Sequence, residues 1–397
     1  MKILTICQYY YPEPFRVNDL CEELVKLGHE VTVVTGTPNY PMGNVYPGYE
    51  NGAKSDEIIN GVKVHRCKCA PRKTGTVNRI INYFDFPRAS VKYVKTLEND
   101  YDVVFVNQLS PVMMAKAGIY YKKKHGKKLV LYCLDIWPEN LCVGGIKRNS
   151  VIYKIFKKIS ERIYKSADKI LISSGMFADY FEEQFGISKS DVTYLPQYSE
   201  DVFTPSMCEK KQDDKIDLMF AGNIGVAQSV ETIIKAADIT KDVENLHWHI
   251  VGDGTELEKT KGLTKELQLN NVTFYGRQPL EDMPKFYSMA DAMLVTMKKD
   301  PVVSYTLPGK VQTYMAAGKP IIGAIDGETQ YVIKDADCGY CCDAESPEDL
   351  AKCAISIVKE KDKLKNLGEC SRKYYDSHFA RSKFFNLLED NLYYYSK

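Results

Sequence analysis

The segment IDLMFAGNIGVAQSVETIIKAA, residues 216–237, contains the pattern that decides the fold. Its first six residues are apolar except for Asp217 and predict a buried strand, and residues 230–237 carry apolar side chains at helical spacing. Gly222 and Gly225 lie between the two, where glycine permits a tight turn and a close approach of the backbone to a ligand. The segment therefore predicts a strand–turn–helix unit of an α/β protein.

The chain begins with a unit of the same kind. Residues 2–7 predict a strand, and residues 18–27 carry leucines at helical spacing before Gly28, a residue typical of helix ends. Short apolar runs then alternate with helical segments, which indicates parallel sheets covered by helices. The predicted strands are 2–7, 31–35, 62–67, 103–107, 129–133, 169–173 and 192–195 in the first half, and 216–221, 247–251, 272–275, 292–296 and 321–324 in the second.

These alternations predict two Rossmann-like domains joined by a polar linker at residues 198–215. We place the first domain at residues 1–200 and the second at residues 201–377. A C-terminal helix at residues 378–397 is expected to pack back on the first domain. Ligands of such sheets bind at the carboxyl ends of the strands.

The composition is that of a globular protein and hides a charge asymmetry. With 397 residues, 44% hydrophobic and 26% charged, the chain is not of the disordered, collagen-like or coiled-coil class. Residues 1–200 have a net charge of +7 and the remainder −6, and residues 63–95 hold nine Lys or Arg against Asp85. This basic stretch is either a solvated face or, with the apolar residues of 80–86, a contact with an anionic membrane. Nucleic acid is disfavoured because no binding motif is present.

Location and metal content follow from other patterns. The N-terminal MKILTICQ is too short and too strand-like for a signal peptide, and no run of 18 apolar residues predicts a membrane-spanning helix. We therefore expect a cytoplasmic protein, peripheral on the membrane, with reduced cysteines. Neither Cys67-x-Cys69 nor Cys338-x-x-Cys341-Cys342 has a second pair at zinc-finger spacing, so no metal site is predicted. His247 and His249 are interpreted as two residues on one strand face.

Three segments could bind an anionic ligand. Residues 8–16 follow the first strand and end in Arg16, although they lack the glycines of a phosphate-binding loop. Residues 222–225 form the glycine turn, whose alternative interpretation is an ordinary tight turn. Residues 307–310 place Gly309 and Lys310 at a helix start, where amides and a full charge would meet a diphosphate. A surface lysine is the alternative for Lys310.

Seven segments together resemble the retaining glycosyltransferases of family four, over essentially the whole chain. They are GHEVTVVT (28–35), TPNYPMGNVYPGY (37–49), DIWPENL (135–141), FAGNIGVAQS (220–229), VGDG (251–254), VTFYGR (272–277) and LPGKVQTYMAAGKP (307–320). The similarity is greatest to the bacterial branch that builds O-antigen, capsule or exopolysaccharide, including transferases of N-acetylfucosamine type. It implies a GT-B fold, in which two Rossmann-like domains face each other across a cleft. The first domain would take a lipid-linked acceptor and the second a nucleotide-sugar donor, with no metal or other cofactor; on this branch a UDP donor with an N-acetylated sugar is favoured.

The resemblance also assigns roles to residues. Asp135 and Lys310 would be catalytic. The donor would be bound by Gly222, Asn223, Gly225, Gly252, Arg277, Gln278, Thr306, Leu307, Gly309, Lys310 and Thr313, and the acceptor by Arg16, Tyr83 and Arg88. In this family, retention of the anomeric configuration is explained by front-face attack, in which a leaving phosphate oxygen takes the proton of the acceptor hydroxyl. Asp135 could alternatively be a helix N-cap.

The chain departs from the family pattern at several positions. The usual E-x7-E pair falls at Tyr305 and Thr313, and the usual Arg and Lys of the glycine loop fall at Asn223 and Gln228. Family members often have His-Asp where this chain has Leu134-Asp135. These departures keep two alternatives open: a nucleotide-sugar epimerase of the same fold, and a non-catalytic partner of a polysaccharide assembly complex.

Overall fold

In the computed structural model, the apolar runs of the sequence form the strands of two separate sheets. The structure describes the chain except for residues 41–42, 71–75, 144 and 212, and, within helices, the side chains of 76–82 and 143 are also outside the description. Residues 1–173, 177–195 and 386–397 form one unit, and residues 174–176 and 196–385 form the other.

The first unit is built on an eight-stranded sheet of order β3-β4-β2-β1-β5-β6-β7-β8. Its strands are β1 (Lys2–Ile6), β2 (Glu30–Gly36), β3 (Asp56–Ile59), β4 (Val62–Cys67), β5 (Val103–Gln108), β6 (Lys128–Cys133), β7 (Lys169–Ile172) and β8 (Val192–Tyr194). Its helices are α1 (Val17–Lys26), α2 (Thr76–Val94), α3 (Lys116–His125), α4 (Asn140–Val143), α5 (Val151–Tyr164) and α6 (Phe177–Phe185). All strands pair in parallel except β3, which is antiparallel to β4.

The second unit has a six-stranded sheet of order β11-β10-β9-β12-β13-β14, all parallel. Its strands are β9 (Ile216–Ala221), β10 (Leu246–Val251), β11 (Val272–Gly276), β12 (Ala292–Thr296), β13 (Ile321–Ala324) and β14 (Gly339–Cys342). Its helices are α7 (Val230–Ile239), α8 (Leu257–Glu266), α9 (Met283–Tyr287), α10 (Pro301–Ser304), α11 (Gly309–Ala316), α12 (Glu328–Asp335), α13 (Pro347–Lys359) and α14 (Leu364–Tyr374). Every residue of β9 and β12 is buried, as expected of central parallel strands covered on both faces.

The predicted α/β class with two Rossmann-like sheets is confirmed. Two short strands were absent from the prediction. β3 (DEII) has few apolar residues and lies at the sheet edge, and β14 (GYCC) begins with glycine and is only partly buried. Among the helices of the described chain, none is long and apolar enough to cross a membrane.

The predicted C-terminal helix at residues 378–397 begins only at Arg381 in the structure. A π-helical turn at Tyr375–Phe379 follows α14, and Ala380 leaves helical geometry before α15 (Arg381–Ser396). Tyr375 and Phe379 are both buried in the core of the second unit, which accounts for the wider turn. Residues 386–397, which include most of α15, belong to the first unit, where Glu389 lies 2.7 Å from the ring of His29.

Candidate functional site

Two glycine turns lie side by side at the carboxyl edge of the second sheet. Gly222 follows β9 and Gly252 follows β10, and the amide of Gly222 donates to the carbonyl of Val251 over 2.9 Å. Both glycines have positive φ, +141° and +143°. A Cβ on Gly252 would lie 1.8 Å from the carbonyl oxygen of Gly222, so the two loops can pack in this way only with glycine at residue 252.

Lys310 reaches this edge from the first turn of α11. Its Nζ lies 3.7 Å from the ring centroid of Phe220, the penultimate residue of β9, and a Cβ on Gly222 would lie 3.0 Å from that Nζ. The Lys310 residue is half-buried, but its Nζ atom is buried and has no hydrogen-bond partner within the described residues. Burial lowers the pKa of the Lys310 ammonium to about 7.

This combination favours an anionic ligand. A buried cation without a partner is costly to the folded protein, and an anion in contact with Nζ would remove that cost. The amides at the start of α11 add partial positive charge at the same place. Because Gly222 itself is exposed, a ligand can approach Lys310 along the glycine turn.

The other predicted donor residues lie around these three. Asn223 donates from Nδ2 to Oε1 of Gln228 over 3.0 Å, and the amide of Gly225 donates to the same oxygen over 3.2 Å. The two positions that usually carry Arg and Lys thus hold a pair of amide side chains that fixes the turn. Exposed Arg277 and half-buried Gln278 follow β11, which is next to β10; the amide of Gly252 donates to the carbonyl of Gly276 over 2.9 Å.

Three predicted donor residues near α11 are buried or form hydrogen bonds within the second unit. Leu307 is buried, and the carbonyl of Thr306 accepts a hydrogen bond from Thr329. Thr313 is buried, and its Oγ1 donates to the carbonyl of Gly309 over 3.1 Å. The Thr313 hydroxyl proton is therefore used within the helix, where family members hold the donor with a glutamate.

In the first unit, Asp135 lies at the carboxyl edge of the sheet, just after β6. Its Oδ2 accepts the amide of Ser110 over 3.1 Å, and its carbonyl accepts Nε2 of Gln108 over 2.9 Å. Both partners belong to β5 or the loop after it, so the carboxylate joins two neighbouring strand ends. The alternative interpretation of Asp135 was a helix N-cap, whereas this hydrogen bond joins two loops.

The predicted acceptor residues are spread along the first unit. Arg16 immediately precedes α1 and is half-buried. Tyr83 packs edge-on against Trp137, with ring centroids 5.2 Å apart, which brings α2 close to the Asp135 loop. Arg88 is exposed, and its guanidinium lies 5.9 Å from the ring of Phe84.

The basic stretch at residues 63–95 is not one continuous surface. Arg66 is only 5% exposed, forms a salt bridge with Glu57 of β3 and donates to the carbonyl of Tyr11 over 2.8 Å. Phe86 is completely buried. The interpretation of both residues as part of a membrane-facing surface is therefore wrong. Arg72, Lys73 and the side chains of Arg79, Ile80 and Ile81 lie outside the described residues.

The sequence prediction missed Glu13, in the loop after β1. Its carboxylate accepts the backbone amides of Tyr10 (3.3 Å), Asn39 (2.8 Å) and Tyr40 (2.7 Å), and the side chain is almost fully buried. Burial raises the pKa of Glu13 to about 7, although the three amides act in the opposite direction. Glu13 therefore holds the loops after β1 and β2 together at the carboxyl edge.

The histidines of β10 belong to a hydrogen-bond network. His249 lies 2.8 Å from a carboxylate oxygen of Asp217 and 2.9 Å from the hydroxyl of Tyr275, and His247 lies 2.8 Å from the hydroxyl of Thr273. A search of the described residues for groups of His, Cys, Asp and Glu arranged to hold a metal finds none.

Two glycosyltransferase family models together match most of the chain. Residues 16–197 match the family model "Glycosyltransferase Family 4", and residues 208–374 match "Glycosyl transferases group 1". The probable glycosyltransferase WbjE of Pseudomonas aeruginosa is 26% identical over 288 residues, which cover 70% of this chain and 71% of WbjE. The putative colanic acid biosynthesis glycosyl transferase WcaI of Escherichia coli K12 is 25% identical over 338 residues, covering 80% of this chain and 82% of WcaI.

Solved structures agree on the fold. The crystal structure of Anabaena Alr3699/HepE in complex with UDP and glucose matches with a TM-score of 0.71 at 15% identity, covering 99% of both chains. At this identity the likeness concerns the fold alone.

Proposed function

The chain belongs to the GT-B glycosyltransferases of family-four type, on the bacterial polysaccharide branch, and we propose that it transfers a sugar from a UDP-sugar donor to a lipid-linked saccharide. The sugar is an N-acetylated hexose or deoxyhexose, and the acceptor is carried on a polyprenyl diphosphate. The transfer retains the anomeric configuration and needs no metal. The enzyme acts in the cytoplasm, as a peripheral protein at the inner face of the cell membrane.

Buried Lys310 is the observation that carries this proposal. Its Nζ has no partner in the described chain and lies against Phe220 and the exposed Gly222 turn. A donor diphosphate placed there would pair with the Lys310 ammonium and with the first amides of α11. UDP as the nucleotide is favoured by the resemblance to the bacterial polysaccharide branch, and HepE, a protein of the same fold, was solved with UDP and glucose.

The polysaccharide pathway is supported by relatives. WcaI is named for colanic acid biosynthesis. The net charge of +7 on residues 1–200 suits an acceptor held in an anionic bilayer.

The reaction can be assigned to this chain's residues without a protein nucleophile. The bond from the anomeric carbon to the diphosphate breaks, the acceptor oxygen bonds to that carbon on the same face, and its proton moves to the leaving phosphate. Lys310 stabilises the charge that develops on the diphosphate, which is an electrostatic contribution to the rate. Asp135, fixed by the amide of Ser110, orients the acceptor hydroxyl or the transferred sugar.

A thermal-shift titration tests the donor site. Purified protein would be titrated with UDP, GDP and UDP-N-acetyl sugars, with EDTA present. A ligand at about 100 times its Kd adds about 2.7 kcal/mol of stability, which is easily measured. Selective stabilisation by uracil nucleotides supports the proposal, and the absence of any nucleotide effect would place the non-catalytic partner ahead of it.

A product assay separates the three candidate functions. With a UDP-sugar and lipid-linked acceptor, a transferase forms UDP and a glycosidic product, an epimerase forms only an isomeric donor, and a partner protein forms neither. Lys310→Met is expected to lower kcat strongly with a smaller change in KM. Unchanged kcat would remove Lys310 from the mechanism.

A further inference from the structure

Helix α5 of the first unit has apolar side chains on both its inner and outer faces. Tyr153 and Phe156 are buried against the unit. On the outside, Val151 is 72% exposed, Ile152 is 47% exposed and Ile155 is 53% exposed. Three large aliphatic side chains within five positions are more than a solvated helix face requires, so this surface needs a partner.

The same helix is basic. Residues 151–164 contain four Lys or Arg against one acidic residue, Glu161. Lys154, Lys158 and Arg162 are exposed next to the aliphatic residues. We define the α5 outer face as Val151, Ile152, Lys154, Ile155, Lys158 and Arg162. Aliphatic side chains bordered by lysines on one helix are typical of segments that lie in the interface of an anionic bilayer.

The position of this face suits an acceptor that stays in the membrane. The ring of Phe156 packs 5.5 Å from the ring of Trp137, in the loop that follows β6. Trp137 donates from Nε1 to the hydroxyl of Ser110, whose amide binds Asp135. The exposed start of α5 therefore lies beside the loops that hold Asp135, at the edge where a lipid-linked sugar would enter.

We propose that the α5 outer face docks the protein on an anionic lipid bilayer, with Val151, Ile152 and Ile155 entering the interface and the basic residues facing lipid headgroups. This inference rests on the proposed function and specifies its membrane partner. A nucleic acid or an acidic protein would match the charge, but neither accounts for three exposed aliphatic side chains beside the lysines. Within residues 63–95, Arg66 and Phe86 are buried and do not contribute to such a surface.

Vesicle binding is the direct test. The full-length protein would be sedimented with phosphatidylcholine vesicles, with and without phosphatidylglycerol. Lys154→Glu combined with Lys158→Glu should weaken binding to the anionic vesicles by about thirtyfold or more, since each nearby lysine is worth a factor of about 5. Val151→Ser combined with Ile155→Ser should weaken binding by about tenfold, because less apolar surface is inserted.

Matched controls come from the same unit. Lys123→Glu changes an exposed charge on α3, and Ile58→Ser removes an aliphatic side chain that is 74% exposed on β3. Both control proteins should bind vesicles like the wild type. Equal losses in controls and α5 variants, or wild-type binding to RNA with none to anionic vesicles, would overturn the proposal.

An activity split separates this proposal from the proposed function. The α5 variants should lose transfer to an acceptor embedded in vesicles while keeping UDP stabilisation and transfer to a short-chain acceptor in solution. Undiminished transfer in vesicles would refute the role of α5 and leave the transferase assignment intact. A wild-type protein without transfer to either acceptor would refute the transferase function, whatever the vesicle result.

Discussion

Replacing Lys310 by Met should stabilise the protein while removing its activity. The Met side chain has a similar length, carries no charge and can pack its sulfur against the ring of Phe220. The wild-type protein instead keeps the Lys310 ammonium in a place where burial lowers its pKa from 10.5 to about 7. Such a depressed pKa means that the folded state holds the charged form poorly.

The magnitude follows from the two pKa values. They differ by about 3.5, and each pKa unit corresponds to about 1.4 kcal/mol, so the cost of burying the ammonium is about 5 kcal/mol at low pH. The cost is fully present below the folded pKa, near pH 7, because the lysine is then charged in both states. Above pH 7 the folded lysine is neutral, and the cost falls until it vanishes near the ordinary pKa. It is about 4 kcal/mol at pH 7 and about 1 kcal/mol at pH 10.

Urea unfolding at a series of pH values measures this effect. Trp248, in the core of the second unit, provides the fluorescence signal. We expect Lys310→Met to raise the free energy of unfolding by about 2–4 kcal/mol at pH 7. The lower end of this range allows for water that reaches the wild-type ammonium as the site relaxes. The gain should shrink to about 1 kcal/mol or less at pH 10.

A control variant and a ligand complete the experiment. Lys265→Met removes an exposed lysine from α8 and should change stability by no more than about 0.5 kcal/mol. Saturating UDP should stabilise the wild type somewhat more than Lys310→Met. A variant that is less stable than the wild type at pH 7, or a gain that does not decrease toward pH 10, would refute this account of Lys310.

Three further predictions concern the two sheet edges. Gly252→Ala should lower the free energy of unfolding by about 3 kcal/mol or more and abolish UDP binding, because its Cβ would lie 1.8 Å from the Gly222 carbonyl oxygen. Gly262→Ala, in open space on α8, should instead raise it by about 0.5–1 kcal/mol. Equal effects of the two variants in urea unfolding would contradict the packing argument. Wild-type stability should fall by about 2–3 kcal/mol relative to Glu13→Gln as the pH rises from 5 to 8, because the raised pKa of Glu13 makes the charged form unfavourable in the folded state; parallel stability curves would be inconsistent with a buried carboxylate. Asp135→Asn should lower kcat about 100-fold with unchanged UDP stabilisation, and a loss of UDP binding instead would move Asp135 from the reaction to the fold.

The donor turn could be predicted from the sequence because its parts lie at strand ends. β9 (IDLMFA) and β10 (LHWHIV) are largely apolar and each is followed at once by glycine, and neighbouring parallel strands end at the same edge. Lys310 follows a turn that starts a helix at that edge. The strand runs thus gave Gly222 and Lys310 as separate candidates at this edge, whereas Gly252 was assigned only through the family resemblance and the burial of Nζ on Phe220 was not predicted.

Glu13 and Arg66 could not be assigned in this way, because their partners come from other parts of the chain. Glu13 binds amides that are 26 and 27 residues away in the loop after β2. Arg66 pairs with Glu57 on β3, a strand whose DEII sequence has no clear pattern. A charged residue in a sequence looks exposed until the structure supplies the group that neutralises it.

The cost of burying Lys310 explains how this chain can differ from its family in the donor site. The loop positions that usually carry Arg and Lys are here Asn223 and Gln228, which bind each other and shape the turn. In the proposed donor site, positive charge for the diphosphate then rests largely on Lys310, and an ammonium buried on an aromatic ring attracts an anion more strongly than an exposed one. The same desolvation destabilises the empty protein. A diphosphate restores the charged form by raising the Lys310 pKa, so donor binding above pH 7 must take up a proton, and donor affinity should decline as the pH rises beyond that value.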